Sequence, residues 1–280
     1  MERIAIIGLG LIGGSLGLDL TRYGHPVVGI ARRATTAEEA LAMGAVTEAG
    51  TELALVSEAD VVFICTPIDA VVATAAAIAP YLSEGAVVTD VASVKGELVP
   101  SLEALWPGFV GGHPMAGKAE AGLAVAEAGL FRDRPYVLTP TAATNPKALE
   151  RVRAIAASLG ANLCQCHPDQ HDRAVAWISH LPVMVSSSLI LACQGESEPN
   201  ILTLAQSLAS SGFQDTSRVG GGMPELGTLM ARHNRVALLD ALTGYQQQLE
   251  QMKALIETEN WDDLYSQLTR SQAARPAYLG

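Results

Sequence analysis

Gly8, Gly10 and Gly13 stand directly behind the apolar run Ile4-Ala5-Ile6-Ile7 and open an amphipathic stretch, Leu11 to Tyr23, that Gly24 stops. A strand that turns into a helix across a Gly-x-Gly-x-x-Gly spacing leaves few choices of fold. The first glycine permits the tight turn, the second lets a pyrophosphate approach the backbone, and the third allows the helix to pack closely on its strand. The free N–H groups at Leu11, Ile12 and Gly13 then face the phosphates. A dinucleotide is the expected ligand of this turn.

The rest of the first half repeats the pattern. Short apolar runs at Arg3 to Ile7, Pro26 to Ile30, Val61 to Cys65, Ala86 to Thr89, Phe109 to Gly111 and Tyr136 to Thr139 read as strands. Helical stretches such as Ile68 to Ala79, ended by Pro80, lie between them. Strand and helix in alternation predict a mainly parallel sheet covered on both faces. After His167 strand candidates cease, and helical stretches run over Asp169 to Gln194, Ile201 to Ser211 and Pro224 to Glu259. The fold class expected is therefore α/β, a Rossmann-type doubly wound sheet over residues 1–166, followed by an all-helical domain over residues 167–280. Leu226, Leu229, Met230, Val236, Leu238, Leu239 and Leu242 make the last long helix apolar on more than one face, so a homodimer built by the helical domain is expected.

The end of the second strand bears on which dinucleotide binds. An NAD site places an acidic residue there, about 20 residues past the glycines, to hold the ribose hydroxyls. The sequence instead reads Gly29-Ile30-Ala31-Arg32-Arg33-Ala34-Thr35-Thr36. Arg32 and Arg33 can pair with a 2′-phosphate and the hydroxyls of Thr35 and Thr36 can donate to it, so NADP is the expected cofactor. Cys65-Thr66-Pro67 ends the third long strand and should shape the floor under the cofactor. The loops Asp90 to Gly96 and Gly111 to Gly117 leave neighbouring strands at the same edge. In the second loop His113, flanked by Gly111, Gly112 and Pro114, is expected to project from a compact turn beside the nicotinamide.

Composition sets the class limits. In 280 residues, 49% are apolar and 17% charged, enough for a large core, and the formal net charge of −11 opposes binding to nucleic acid or to an anionic membrane surface. Neither is an expected partner. Cys65, Cys164, Cys166 and Cys193 show no metal-binding spacing and read as free thiols of a cytoplasmic protein, with no metal expected. The charge-free run Ala174 to Cys193 has membrane-like hydropathy, but Pro182, His180 and the serines at 186, 187 and 188 favour a helix buried inside protein.

Together the GLGLIGGS start, the DVASVKG and GGHPMAG loops, Ser179-His180-Leu181-Pro182 and Gly212 to Arg218 resemble the prephenate/arogenate dehydrogenases of tyrosine biosynthesis, over nearly the whole chain. The resemblance implies that His113 is the catalytic base, taking the proton of the ring C4 hydroxyl as hydride leaves C4. It implies that Ser93 helps orient that histidine, that Arg218 binds the ring carboxylate lost as carbon dioxide, and that His180 lines the substrate pocket.

Many family members carry a second histidine after Ser-His-Leu-Pro, where this chain has Val183. That difference and the arginine-bearing turn lean towards arogenate over prephenate as substrate, with Glu225 a candidate acidic neighbour for its ammonium group. Two alternatives stand beside this reading. A β-hydroxyacid dehydrogenase would need a catalytic lysine in the helical domain, where Lys253 alone is available and lacks the expected asparagine one turn on. A non-catalytic dinucleotide sensor would have no use for Ser93, His113 and Arg218 together.

Overall fold

The computed structural model describes residues 1–118 and 120–279. Strands and helices alternate through β1 (Ile4–Ile7), α1 (Leu11–Arg22), β2 (Val27–Ile30), α2 (Ala34–Ala42), β3 (Glu48–Gly50), β4 (Val61–Ile64), α3 (Val71–Ile78), β5 (Val87–Asp90), α4 (Leu98–Leu105) and β6 (Phe109–Val110). These strands form a fully parallel sheet in the order β3-β2-β1-β4-β5-β6. A smaller sheet, β7-β8-β9, joins β7 (Gly112–Pro114) antiparallel to β8 (Pro135–Leu138), which runs parallel to β9 (Asn162–Gln165); α5 (Pro146–Ser158) links β8 to β9.

Every residue of β1, β2, β4 and β5 is buried, because helices cover both faces of the large sheet. Alternate side chains therefore feed separate cores. Ile4, Ile6, Val61 and Phe63 pack with Leu16 and Leu20 of α1 and with Val152 and Ile155 of α5. Ala5, Ile7, Val62 and Ile64 pack with Val71 and Ile78 of α3 and with Leu98 and Leu102 of α4.

Three strands lie outside the sequence expectation. Residues of β3 and β9 are mostly exposed and include Glu48, Asn162 and Gln165, so no apolar run marks them. Strand β7 corrects a second expectation: His113 is not on a crowd-free turn but in a strand, paired with Val137 and buried. Two glycines and a proline hid a segment whose pairing comes from β8, far along the chain.

The chain divides into two compact units, Met1–Arg235 and Val236–Gly280. The first holds both sheets and the helices α6 (Pro168–Val175), α7 (Leu181–Gln194), α8 (Pro199–Leu208), α9 (Ser211–Ser217) and α10 (Pro224–His233). The second consists mainly of α11 (Arg235–Glu257) and α12 (Trp261–Ala274). A capping box starts α6: the His167 side chain accepts from the Asp169 N–H, and Gln170 accepts from the His167 N–H. A π-helical turn, Ala176–His180, separates α6 from α7. Pro182, which has no N–H and crowds the preceding turn, suits such a widened segment at the head of α7. The helix expected from Pro224 to Glu259 is interrupted at Asn234, whose backbone leaves helical geometry.

The expected burial of Ala174 to Cys193 is met on one side only. Within α7, Leu181 and Ser186 are buried, whereas Trp177 and Ile178 of the π turn and Leu191 are exposed. The run Pro168–Gln194 has the length and hydropathy of a membrane span, with 28% of its most apolar window buried.

Candidate active site

The sheet register aligns the parts of the site. Ile7 of β1 pairs with Ile64 of β4, and Ile64 with Asp90 of β5, so Gly8, Cys65 and Val91 leave adjacent strands at one carboxyl edge. Gly8 has φ +99°, and a Cβ there would stand 2.6 Å from the carbonyl oxygen of Cys65. A Cβ on Gly13 would lie 2.0 Å from the Gly8 carbonyl oxygen, so neither position accepts a side chain without backbone movement. A Cβ on Gly10 would meet nothing within 4 Å. Helix α1 has no side-chain cap and no acid in its first turn, leaving its leading N–H groups, at Leu11, Ile12 and Gly13, to a ligand. The open space at Gly10 and these uncapped donors fit a pyrophosphate.

Arg32 and Arg33 are exposed just past β2, together with Thr35; Thr36 is half-buried, and the first turn of α2 has no acid to repel an anion. Thr66 Oγ1 is buried beside the glycine turn, without a hydrogen-bond partner among the described residues. Pro67 is exposed. Desolvation, reinforced by the charge of Asp90, pushes the Cys65 thiol well up, so Cys65 packs as a neutral group against the turn.

The exit of β5 holds a buried ion pair. Asp90 and Lys95 are both fully buried, and the Lys95 ammonium donates to Asp90 Oδ2. Asp90 also accepts from the Ala92 N–H at 2.9 Å and the Gly112 N–H at 3.2 Å, so one carboxylate shapes the Ser93 loop and anchors the strand that bears His113. Burial pushes the Lys95 ammonium below its ordinary range against the attraction of Asp90 and Asp172. Ser93 is half-buried in this loop.

His113 meets α6 rather than Ser93: its Nδ1 lies 2.8 Å from Nε2 of His171. His171 Nδ1 is in turn 2.8 Å from Asp172 Oδ1. The Asp172 carboxylate accepts from the backbone N–H of Lys95 at 2.8 Å and of Gly96 at 2.7 Å. Desolvation holds His113 well below the ordinary imidazole range, helped by His171, Lys95 and His180, so the ring is neutral at physiological pH. His180, 0% exposed, is lowered to about 4 by burial, against the pull of Asp172. Asn234 Nδ2 donates to the Asp172 carbonyl at 2.8 Å and lies 3.1 Å from His180 Nδ1. With Nδ1 accepting, His180 carries its proton on Nε2, which is buried and has no partner among the described residues. An unpaired buried donor of this kind is what a polar ligand would satisfy.

The structure thus ties His113 and His180 into one polar cluster, while Ser93 lies in the loop whose Lys95 and Gly96 N–H groups that cluster holds and has no hydrogen bond to it among the described residues. Arg218 stands apart from that hydrogen-bonded set: it is exposed, in the turn Arg218–Gly221, and forms no ion pair among the described residues. Its segment is held on α7, since Ser186 Oγ donates to the Thr216 carbonyl at 2.6 Å and a Cβ on Gly220 would lie 2.6 Å from the Ser186 backbone. Glu225 is exposed in the first turn of α10. Sequence reading missed Asp90, Lys95, His171, Asp172 and Asn234 as site residues. Asp90 and Lys95 lay in a loop already singled out, whereas His171, Asp172 and Asn234 reach the site through helix packing that no spacing reveals.

Comparison with known proteins identifies the family. Residues 16–165 match the family model described as prephenate dehydrogenase, nucleotide-binding domain, and residues 167–270 match prephenate dehydrogenase, dimerization domain. Cyclohexadienyl dehydrogenase of Zymomonas mobilis is 31% identical over 99% of this chain and 96% of its own length. The crystal structure of Synechocystis arogenate dehydrogenase superposes with TM-score 0.89 at 50% identity, covering 99% of this chain and 100% of that one. Prephenate dehydrogenase from A. aeolicus, in complex with hydroxyphenyl propionate and NAD+, superposes with TM-score 0.93 at 29% identity, covering 99% and 98%. A glycine turn suited to a dinucleotide, a neutral buried histidine at the same sheet edge and these full-length matches have one common explanation: the chain belongs to the prephenate dehydrogenase family, whose members include arogenate and cyclohexadienyl dehydrogenases.

Proposed function

We propose that this enzyme oxidatively decarboxylates arogenate to tyrosine with NADP+ as acceptor. The observation that carries the reading is the buried, neutral His113, on the strand tied to Asp90 at the carboxyl end of β5, in a sheet whose β1 ends in a glycine turn open at Gly10. A nicotinamide dinucleotide held at the N–H groups of Leu11, Ile12 and Gly13 would supply the hydride acceptor for C4 of the substrate ring. His113 takes the proton of the C4 hydroxyl, for which a neutral imidazole is required. Ser93, in the neighbouring loop, hydrogen-bonds the same region. Arg218 binds the ring carboxylate until it leaves as carbon dioxide, its bonding electrons completing the aromatic ring, and the free Nε2–H of His180 donates to the bound substrate. The protein's task is then to orient C4, remove one proton and hold the carboxylate.

The choice of arogenate is supported by the 50% identity with the Synechocystis arogenate dehydrogenase. Prephenate, giving 4-hydroxyphenylpyruvate, is the second reading, since the A. aeolicus relative bears that name at 29% identity. With NADP+ in excess, kcat/KM for arogenate should exceed that for prephenate, the measure that discriminates competing substrates; an equal or higher prephenate value reverses the substrate assignment.

Cofactor preference rests on Arg32 and Arg33, exposed where an acid would hold an NAD ribose. A charge-assisted pair to phosphate contributes about 1.5–3 kcal/mol. Arg32→Ala should therefore weaken NADP+ binding by about ten- to a hundred-fold and leave NAD+ nearly unchanged in titrations of both cofactors. Equal losses would assign Arg32 a role unrelated to the 2′-phosphate.

We further propose that the helical region, residues 167–280, pairs two copies of the chain. Exposed Trp177, Ile178, Leu191, Ile201, Leu204 and Leu208 supply the apolar surface that a second copy would cover. Light scattering at micromolar concentration should give about twice the 29.2 kDa chain mass; a monomer would contradict the pairing.

A further inference from the structure

His113 can act as a base only through a nitrogen that is bare, and the two ring nitrogens are not equivalent. The contacts behind the ring decide which one it is, starting from Asp172. Both oxygens of its carboxylate already accept from backbone N–H groups, Oδ1 from Lys95 and Oδ2 from Gly96, and a backbone N–H can only donate. A third contact to Oδ1, from His171 Nδ1 at 2.8 Å, is attractive when Nδ1 bears a proton. A neutral His171 then has a bare Nε2, which accepts at 2.8 Å from His113 Nδ1. His113 is left with its proton on Nδ1 and a free lone pair on Nε2.

We propose that Asp172 and His171 are positioning residues that fix the tautomer of His113, so that Nε2 is the nitrogen that receives the substrate proton. The proposal rests on the reading of His113 as the base. Both residues lie on α6, outside the loop that bears Ser93 and the strand that bears His113, and neither needs to touch the substrate. The chain of contacts also ties the helical segment to the exit of β5, so the tautomer and the placement of α6 are set together.

The opposite arrangement, a proton on both nitrogens of His171, would reverse the last hydrogen bond and place the His113 proton on Nε2, so the position of the His113 proton distinguishes the two directly.

The test uses full-length enzyme labelled with ¹⁵N-histidine, with the His113 signals assigned by their loss in His113→Asn. The wild type should show a protonated Nδ1 and a bare Nε2 on His113. Asp172→Asn, which can present an N–H to His171 Nδ1, should shift that proton towards Nε2 and lower kcat by about ten- to a hundred-fold, with the NADP+ dissociation constant unchanged within about two-fold. Because Asp172 also anchors backbone, a second pair leaves it intact. His171→Gln retains a carbonyl that can accept from His113 Nδ1 and should recover much of the rate lost in His171→Leu, in kcat rather than KM. A wild-type His113 proton on Nε2, or equal rates in the Gln and Leu variants, would overturn the proposal. A correct wild-type tautomer that moves in Asp172→Asn without any change in kcat would instead remove His113 as the base.

Discussion

The Asp172 carboxylate is the point on which the site depends. It takes the N–H groups of Lys95 and Gly96 from the loop after β5 and the imidazole of His171 from its own helix, while its main-chain carbonyl takes the Asn234 amide. Three segments distant in sequence, the loop after β5, α6 and the end of α10, are thereby joined at one residue. A polar junction this buried is stable only when its members are satisfied, and removing one would strand the others. The local sequence agrees with the load placed on it: a capping box starts α6 at His167, and the π turn before α7 sets His180 inward.

A second junction, Asp90 with Lys95, works at the sheet itself. Burying an ion pair costs more in lost hydration than it returns unless both ions keep further partners. Asp90 has them in the Ala92 and Gly112 N–H groups, so the pair places the Ser93 loop and the His113 strand relative to one another. Lys95 also contributes to the positive surroundings that keep His113 neutral. Stability and electrostatics meet here: the same buried charge that orders the loop disfavours protonation of His113.

Much of this was legible in the sequence, for identifiable reasons. Strands β1, β2, β4 and β5 are buried on both faces and so read as unbroken apolar runs, and the glycine turn declares itself because Gly8 and Gly13 have no room for a side chain. The sequence marked His113 as a candidate site residue but not as a strand residue, since Gly112 and Pro114 argue locally for a turn while β8 supplies the pairing. His171 and Asp172 looked like ordinary polar residues near the start of a helix. Their importance comes from the approach of α6 to the β5 loop, a long-range contact with no periodic signature. Arg218 illustrates the converse: its motif marked it, yet the single chain leaves it exposed, as it leaves the outer face of α7.

The proposed reaction turns on His113 as the proton acceptor, and His113→Asn tests that role most directly. Turnover with arogenate and NADP+ should fall by about 10²–10⁴-fold while cofactor affinity changes little, because the amide can hydrogen-bond but cannot take the proton. The wild-type pH profile provides the matching signature. Only the neutral ring is active and burial lowers its proton affinity, so the rate should hold as pH falls through the ordinary imidazole range and drop only below it. Near-normal turnover in His113→Asn would contradict the account.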